Sequence, residues 1–281
     1  MAMEEDVGII VLNWNGLEDT RACLQSLFRL EGSAPRIYVV DNGSTDGSAN
    51  ALYKEFGNRL VLIANERNLL YAGGNNVGIR RGLQDGCTHL LLLNNDTVVD
   101  QGMLRELLRV SEQKGDAILC PKIYYAKDPN RLWYAGGKLL LMRARAAHRG
   151  IRETDHGQYD HVEETDWATG CAFFASRRIF ESVGLLDESF QLYCEDLDYC
   201  LRARVMGFSI WYVPAAKVWH KVSAAIGGNL SRRKLVRKWS SLRRLLRKHV
   251  ANRLARFIAL SDYAITETFR VLWAVARGKL D

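Results

Sequence analysis

The chain of 281 residues lacks the patterns that mark several classes of protein. Its six cysteines form no CxxC pair and no zinc-type spacing, so we expect reduced thiols in the core of a cytoplasmic protein. No uncharged apolar stretch reaches about 18 residues, which predicts that no segment spans a membrane. The acidic start, Met1 to Asp6, passes directly into a strand-like segment, so we expect no secretory signal.

Common catalytic signatures are missing as well. The chain has no Walker A motif, no Gly-x-Ser-x-Gly elbow and no His-Glu-x-x-His pair. Gly73, Gly74 and Gly78 form a partial glycine pattern, but a dinucleotide fingerprint belongs in the first strand–helix turn. A nicotinamide-dependent dehydrogenase is therefore not expected.

Acidic residues are absent from Tyr199 to Leu260, so this region dominates the net charge of +7. Between Leu242 and Ile258, apolar residues recur at helical spacing among arginines and lysines. This pattern predicts a cationic amphipathic helix suited to an anionic bilayer, peripheral to the inner face of the plasma membrane. The alternative is a helix that packs on the rest of the chain or on a second subunit. The segment Phe269–Ala276, with Trp273, is apolar enough for an interface.

Apolar runs alternate with helical patterns through the first 121 residues. Strands are predicted at Val7–Leu12, Arg36–Val40, Leu60–Ala64, His89–Leu93 and Ala117–Pro121. Helices are predicted at Leu17–Leu27, Thr45–Phe56 (capped by Ser44 or Thr45), Tyr71–Leu83 and Asp100–Glu112. This alternation predicts an α/β fold with a doubly wound parallel sheet. After Pro121 the alternation lapses, and we predict a hairpin-prone segment at Arg131–Ala147, a loop at Arg149–Glu164, a helix at Cys194–Met206 and a last strand at Phe208–Val213.

Polar clusters follow the first four predicted strands. They are Asn13-Trp14-Asn15-Gly16, Asp41-Asn42-Gly43-Ser44, Asn65-Glu66-Arg67-Asn68 and Asn94-Asn95-Asp96. In doubly wound folds, ligands bind at the edge where parallel strands end, so these clusters predict one site. Asp96 is the best metal-ligand candidate, because a divalent cation that carries a phosphorylated substrate needs oxygen ligands. The alternative for Asp96 is a helix cap or turn.

Other members of these clusters have two interpretations each. Asp41 is either a turn residue or an acceptor for a nucleobase or ribose hydroxyl. Arg67 and Asn68 belong to a solvated loop or hold the base or phosphates of a nucleotide.

A second acidic group, Glu195-Asp196, starts the predicted helix at Cys194–Met206. A carboxylate held there could act as general base on an acceptor hydroxyl. The alternative is compensation of the helix dipole. His220 becomes a metal-ligand candidate only if the fold brings it beside Asp96.

Seven segments in fixed order resemble the family 2 glycosyltransferases, which have the GT-A fold. They are VLNWNG (Val11–Gly16), VVDNGSTDGS (Val39–Ser48), NERNLLYAGGNNVGI (Asn65–Ile79), LLLLNNDT (Leu90–Thr97), WATGCAFFASRRIFESVGLLDESF (Trp167–Phe190), YCEDLDYCLRAR (Tyr193–Arg204) and VPAAKVWH (Val213–His220). The resemblance spans about residues 7 to 228. Within the family the pattern looks most like bacterial rhamnosyltransferases that build cell-surface polysaccharide.

The resemblance implies an inverting transfer of a rhamnose-like sugar from a nucleotide-diphosphate donor to a polysaccharide or lipid-linked glycan, with Mg²⁺ or Mn²⁺. It implies substrate contacts for Asn13, Asn15, Asp41, Arg67, Asn68, Asn94, Asn95, Trp167 and Gly170. Asp96 matches the last position of the family's DXD motif, whose other positions here are amides. His220 matches the late histidine ligand and so gains importance. Asp196 matches the catalytic base, with Glu195 beside it.

We therefore predict a catalytic domain at 1–228, with a nucleotide-sugar half at 1–121 and an acceptor half at 122–228, and a basic helical extension at 229–281. A sugar-nucleotide nucleotidyltransferase is one alternative, but its basic phosphate loop is absent from Asn13-Trp14-Asn15-Gly16. A nucleic-acid-binding protein is another. Against it, the basic tail offers only Trp239 for stacking, so no nucleic-acid partner is expected.

Overall fold

The computed structural model describes residues 6–32, 34–222 and 232–276, with the side chains of 232–234 and 270–276 excluded. Within these ranges the strands are β1 (Val7–Asn13), β2 (Arg36–Asp41), β3 (Val61–Ala64), β4 (His89–Asn94), β5 (Thr97–Val99), β6 (Ala117–Tyr125), β7 (Asp128–Tyr134), β8 (Gly137–Leu140), β9 (Arg145–His148), β10 (Glu163–Glu164), β11 (Ala172–Ser176) and β12 (Ser209–His220). The helices are α1 (Leu17–Leu27), α2 (Ser48–Phe56), α3 (Leu70–Gln84), α4 (Met103–Lys114), α5 (Arg177–Val183), α6 (Glu195–Val205), α7 (Arg232–His249) and α8 (Arg253–Ala276).

One large sheet organises most of the chain before α7. Its order is β10-β12-β6-β11-β4-β1-β2-β3, with β5 paired to β12 and β7 paired to β6. Strands β12, β6, β4, β1, β2 and β3 all run parallel, because β6 and β4 both pair antiparallel with β11. The predicted doubly wound, mainly parallel α/β sheet is confirmed.

The central strand β4 shows why these segments form strands. Leu90 to Leu93 are at most 2% exposed, as expected for a parallel strand covered on both faces. The parallel strands end at one edge of the sheet, and the antiparallel β11 starts there, since Ala172 pairs with Leu93. The end of β4 therefore lies beside the start of β11.

Four predicted boundaries are wrong. Strand β6 runs to Tyr125 instead of ending at Pro121, and the other three have identifiable reasons. Helix α2 begins at Ser48, because Ser44 and Thr45 bond to Asn15 instead of capping it: the Asn15 amide donates to Ser44 Oγ at 2.9 Å, and the Thr45 amide donates to Asn15 Oδ1 at 2.8 Å. Helix α4 begins at Met103, and Asp100 accepts the Gly102 amide ahead of it.

The fourth wrong boundary is that of the last strand. β12 continues to His220 instead of ending at Val213. Its pairing with β6 is irregular between Val213 and Lys217 and then resumes. Pro214 lies in that irregularity, where a missing N–H is tolerated.

The basic tail forms two helices, not one. Leu242, Leu245 and Leu246 of α7 are buried against the protein, as is Val250 just after it, so this part of the predicted bilayer pattern is a packing face. In α8, by contrast, Leu254, Phe257 and Ile258 are all more than half exposed. The predicted domain boundary at 228/229 lies outside the described residues. So do the side chains of 270–276, including Trp273, that belong to the predicted interface.

Two predictions drawn from absent patterns can be compared with the structure. All six cysteines are free, and all but the partly exposed Cys194 are buried, in agreement with reduced core thiols. Across the described residues, none of the helices is sufficiently long and apolar to cross a bilayer.

Candidate active site

A buried hydrogen-bond network holds Asp41 at the end of β2. Asn13 Nδ2 donates to Asp41 Oδ1 at 2.7 Å, and the Ser44 amide donates to Asp41 Oδ2 at 3.0 Å. Asn13 is fully buried, and its Oδ1 accepts the Thr20 hydroxyl at 2.8 Å. These contacts fix the orientation of Asp41, while the substrate contact implied for Asn13 stays a prediction.

The loop after β2 lies against the loop after β3. Asn42 donates to Asn68 Oδ1 at 3.0 Å, and the Leu69 amide donates to Asn42 Oδ1 at the same distance. Gly43 has a φ of 73°, and a Cβ on it would lie 2.7 Å from the Arg67 backbone, so only glycine fits. Arg67 is thereby placed near Asp41. Its exposed guanidinium has no carboxylate partner among the residues described, so it is available to an anionic ligand.

Asp96 and His220 lie side by side at the same edge of the sheet. The antiparallel pairing of β5 with β12 sets Thr97 opposite His220, which brings Asp96 close to the imidazole. His220 Nε2 is 3.0 Å from Asp96 Oδ1, and both side chains are largely buried. The fold therefore brings His220 beside Asp96, as the sequence analysis required before His220 could be a metal-ligand candidate. Asn95 is anchored nearby, because its Nδ2 donates to the Thr20 hydroxyl at 2.9 Å.

The spacing and donor atoms of Asp96 and His220 fit a divalent cation. Ligand atoms about 2.1 Å from an octahedral ion lie about 3 Å from their neighbours, which is the spacing of these two side chains. Among the described residues, no group of three or more His, Cys, Asp or Glu side chains comes together around a metal position. A cation held here would take its remaining ligands from substrate phosphates and water, as Mg²⁺ commonly does.

An aromatic cluster connects His220 to Trp167. The Trp133 ring lies edge-on to His220 at 4.6 Å and to His148 at 4.3 Å, and His148 lies 5.2 Å from Trp167. Burial lowers the pKa of His148 to about 4, so this ring is neutral near pH 7. We did not predict Trp133 or His148 from the sequence, because neither belongs to a recognisable spacing.

The Glu195-Asp196 pair begins α6 in a rigid setting. Asp196 Oδ2 accepts the Gly170 amide at 3.0 Å, and Oδ1 accepts the Leu197 amide at 2.8 Å. Burial raises the pKa of both carboxyl groups, and the charge of Asp196 further raises that of Glu195, to about 8. Tyr193 and Cys194, just before the pair, have φ values of 71° and 69°, a strained conformation that is enriched at functional sites.

Gly170 joins this acidic pair to Tyr71. Its carbonyl accepts the Tyr71 hydroxyl, and its amide donates to Asp196. A Cβ at position 170 would lie 2.7 Å from Tyr71 Oη, so a side chain there would displace the tyrosine. Burial and the charges of Glu195 and Asp196 raise the pKa of Tyr71. Tyr71 was missed as a site residue, although it lies inside the matched segment Asn65–Ile79.

A short path connects Asp96 with Asp196. The Asn94 amide donates to the Cys171 carbonyl at 2.9 Å, and the adjacent Gly170 bonds Asp196. Burial, followed by the charge of Asp96, raises the pKa of the Cys171 thiol. The structure thus brings Asp96 and His220 to the same edge of the sheet as Glu195 and Asp196.

The raised pKa of Glu195 gives a pH-dependent stability. Between about 4.5 and about 8 the folded state keeps a proton that the unfolded state loses, so the unfolding free energy falls as pH rises. By pH 7 the loss is on the order of 3 kcal/mol. We expect Glu195→Gln to lack this loss, so that it gains stability relative to wild type from pH 5 to pH 8. Urea unfolding at both values measures this, with Glu112→Gln, an exposed exchange on α4, as control. If the unfolding free energy changed equally with pH in wild type and in Glu195→Gln, the raised pKa of Glu195 would be refuted.

Comparisons with known proteins show which family the chain resembles. The family model described as Glycosyl transferase family 2 matches residues 8–184. The low-salt glycan biosynthesis hexosyltransferase Agl10 of Haloferax volcanii is 27% identical over 203 residues, which cover 72% of this chain and 62% of that protein. The dTDP-rhamnosyl transferase RfbF of Shigella flexneri is 25% identical over 167 residues, 58% of this chain and 53% of that protein. The chain thus spans less than two thirds of the length of either relative.

A solved structure is similar in fold. The crystal structure of GalNAc-T7 with UDP, GalNAc and Mn²⁺ matches with a TM-score of 0.68 and 14% sequence identity. The match covers 86% of this chain and 48% of that chain. At this identity the likeness supports the architecture alone.

Proposed function

This chain belongs to glycosyl transferase family 2, and from that premise we propose that it moves a sugar from a nucleotide-diphosphate donor to a glycan hydroxyl, with inversion and a divalent cation. The predicted family and GT-A fold are confirmed. For the sugar we propose rhamnose or a similar hexose, supported by the resemblance and by the name of the Shigella relative. The proposed acceptor is a polysaccharide or a lipid-linked glycan.

The donor side of the proposal uses the loops after β1, β2 and β3. Asp41 presents a fixed carboxylate that can accept hydrogen bonds from a base or ribose hydroxyl. Arg67 supplies a cation for the diphosphate, and Asn15 and Asn68 lie in the loops after β1 and β3, each bonded to the loop after β2. Asp96 and His220 would hold the cation, which when bound offsets the charge that develops on the leaving diphosphate.

On the acceptor side, Asp196 acts as general base. It takes the proton of the acceptor hydroxyl while that oxygen bonds to the anomeric carbon from the face opposite the diphosphate. The bond to the diphosphate oxygen breaks, and its electron pair leaves with the diphosphate. Two backbone amides hold Asp196 in place. The raised pKa of Glu195 keeps that side chain protonated, so it does not add a second negative charge beside Asp196.

The observation that carries this proposal is the short connection between the Asp96–His220 pair and Asp196 through β4 and Gly170. A thermal-shift panel of nucleotide sugars, each with and without Mn²⁺, tests it. We expect one donor class to raise the melting temperature, and to do so more strongly with Mn²⁺. Absence of any stabilising nucleotide sugar would count against the proposal.

The two alternatives receive less support. A nucleotidyltransferase would not be expected to match the family model over residues 8–184. A nucleic-acid-binding role leaves the pair formed by the buried Glu195 and the partly buried Asp196 without a purpose. We also propose a catalytic domain at 1–228 and a basic helical extension at 229–281, because the resemblance to the family spans about residues 7 to 228.

We also propose that α8 lies on an anionic bilayer at the inner face of the plasma membrane. Leu254, Phe257, Ile258, Ile265 and Phe269 occupy one stripe of this helix and are 56% to 68% exposed. The sequence from Arg232 to Arg256 is rich in arginine and lysine, which complement anionic head groups. Phe257→Glu should reduce co-sedimentation with phosphatidylglycerol vesicles, whereas Tyr53→Glu, at an exposed aromatic residue of α2, should not. Binding indifferent to Phe257→Glu and to salt would exclude this surface.

A further inference from the structure

A cavity lies between α7 and the loop that precedes α6. Its volume is about 400 Å³. The lining residues are Ser240, Arg243, Arg244, Arg247 and Lys248 of α7 and Asp187 and Ser189 of the loop. Four basic side chains therefore face one carboxylate in a concave space.

The cationic charge of this cavity is largely unneutralised. Asp187 is already engaged, because it accepts Lys248 Nζ at 2.8 Å and the Ser189 amide at 2.9 Å. Although burial opposes its ionisation, these bonds hold the pKa of Asp187 well below its usual range. Arg243, Arg244 and Arg247 have no carboxylate partner among the residues described. Three guanidinium groups therefore remain for an anion.

The wall that carries these arginines is fixed, not loosely solvated. They occupy one face of α7, while Leu242, Leu245 and Leu246 of the opposite face are buried. Ser241 Oγ donates to the Leu192 carbonyl at 2.7 Å, which ties α7 to the loop before α6. The helix therefore presents its arginines at set positions.

A buried cluster around Asp198 holds the end of α7. Asp198 is fully buried and bonds His249 at 2.7 Å, Lys248 at 2.8 Å and Arg202 at 2.9 Å. Lys248 thus belongs both to this cluster and to the cavity wall. Asp198 lies two residues after Asp196, so the cavity is built on the helix that carries the proposed base.

We propose that this cavity binds a phosphorylated group, a diphosphate best, at a site separate from the donor loops. A diphosphate carries several negative charges. It also offers pairs of oxygen atoms, each of which can accept two parallel hydrogen bonds from one guanidinium group. Its source is either a soluble phosphate compound or the head group of a lipid.

Calorimetric titration with inorganic pyrophosphate tests the proposal, in EDTA and at fixed ionic strength so that cation-dependent binding at the donor site is removed. Wild type should bind, and Arg243→Gln/Arg247→Gln should bind at least tenfold more weakly. Arg253→Gln, which removes an exposed charge of α8 outside the cavity, should bind like wild type. Binding to phosphatidylglycerol vesicles that the double variant reduces and Arg253→Gln does not, with none to pyrophosphate, would assign the cavity to a lipid phosphate and overturn the preference for a diphosphate.

The proposal is overturned if neither probe binds, or if the double variant and Arg253→Gln lose binding equally, since that outcome indicates diffuse charge attraction. Circular dichroism of the double variant verifies its fold. Because no sugar transfer is measured, the result is independent of the proposed catalytic function.

Discussion

Asp196→Asn should lower kcat by about 10²- to 10⁴-fold, the usual contribution of a general base, and leave the Kd of the donor within about threefold of wild type. Asparagine keeps one oxygen that can accept the Gly170 or Leu197 amide, so the start of α6 should persist. What it loses is the ability to take a proton from the acceptor hydroxyl. Steady-state transfer with the donor found in the thermal-shift panel, together with calorimetric donor binding, separates these two effects.

The pH dependence adds a second measurement of the same role. Burial raises the pKa of Asp196, so wild-type kcat/KM should fall as pH decreases through a value above that of an ordinary aspartate. In Asp196→Asn the residual activity should lose this acidic limb. Asp128→Asn, the same exchange on the exposed β7 strand, should match wild type in rate and profile. If Asp196→Asn abolished donor binding as well, a structural role for the carboxylate would be the better account.

The sheet was predictable because its central strands carry a strong local signal. Leu90–Leu93 is apolar on both faces, as expected for a central strand of a sheet covered on both sides, and the strand is found there. Boundaries set by tertiary contacts were not predictable. Ser44 bonds Asn13 and Asn15 across two loops, and no local pattern states that these bonds replace a helix cap.

The site was predictable where a residue ends a strand, as with Asp41 and Asp96. The position of His220 beside Asp96 was less predictable. His220 reaches Asp96 only because β12 continues past Pro214, beyond the predicted strand end. Tyr71 and Trp133 act through contacts with residues 99 and 87 positions away in sequence. Such contacts follow from strand order and not from spacing.

The basic tail shows a limit of amphipathic patterns. Leu242, Leu246 and Phe257 all satisfy helical spacing, but the first two are buried and the third is 68% exposed. Apolar residues at helical spacing indicate that a helix has an apolar face, but they do not indicate which partner covers that face. The break between His249 and Arg253 separates the packed helix from the exposed one.

Asp96→Asn should weaken the apparent affinity for Mn²⁺ by more than the 10- to 100-fold that loss of an outer-shell partner costs, because it removes a charged ligand from a pair that has few. At saturating donor, the Mn²⁺ concentration for half-maximal transfer should rise accordingly. The amide can still accept a hydrogen bond from His220, so the local fold should be kept and the melting temperature without metal should change little.

His220→Ala tests whether the imidazole acts on the same cation as Asp96. If both side chains bind one ion, Asp96→Asn/His220→Ala should lose less Mn²⁺ binding free energy than the two single variants lose together. The second ligand has little left to contribute once the first is gone. Strictly additive losses, or an unchanged Mn²⁺ requirement in Asp96→Asn with a lowered melting temperature, would make the 3.0 Å contact a structural hydrogen bond. The cation would then have to be held by the substrate diphosphate and by other oxygen atoms at this edge of the sheet.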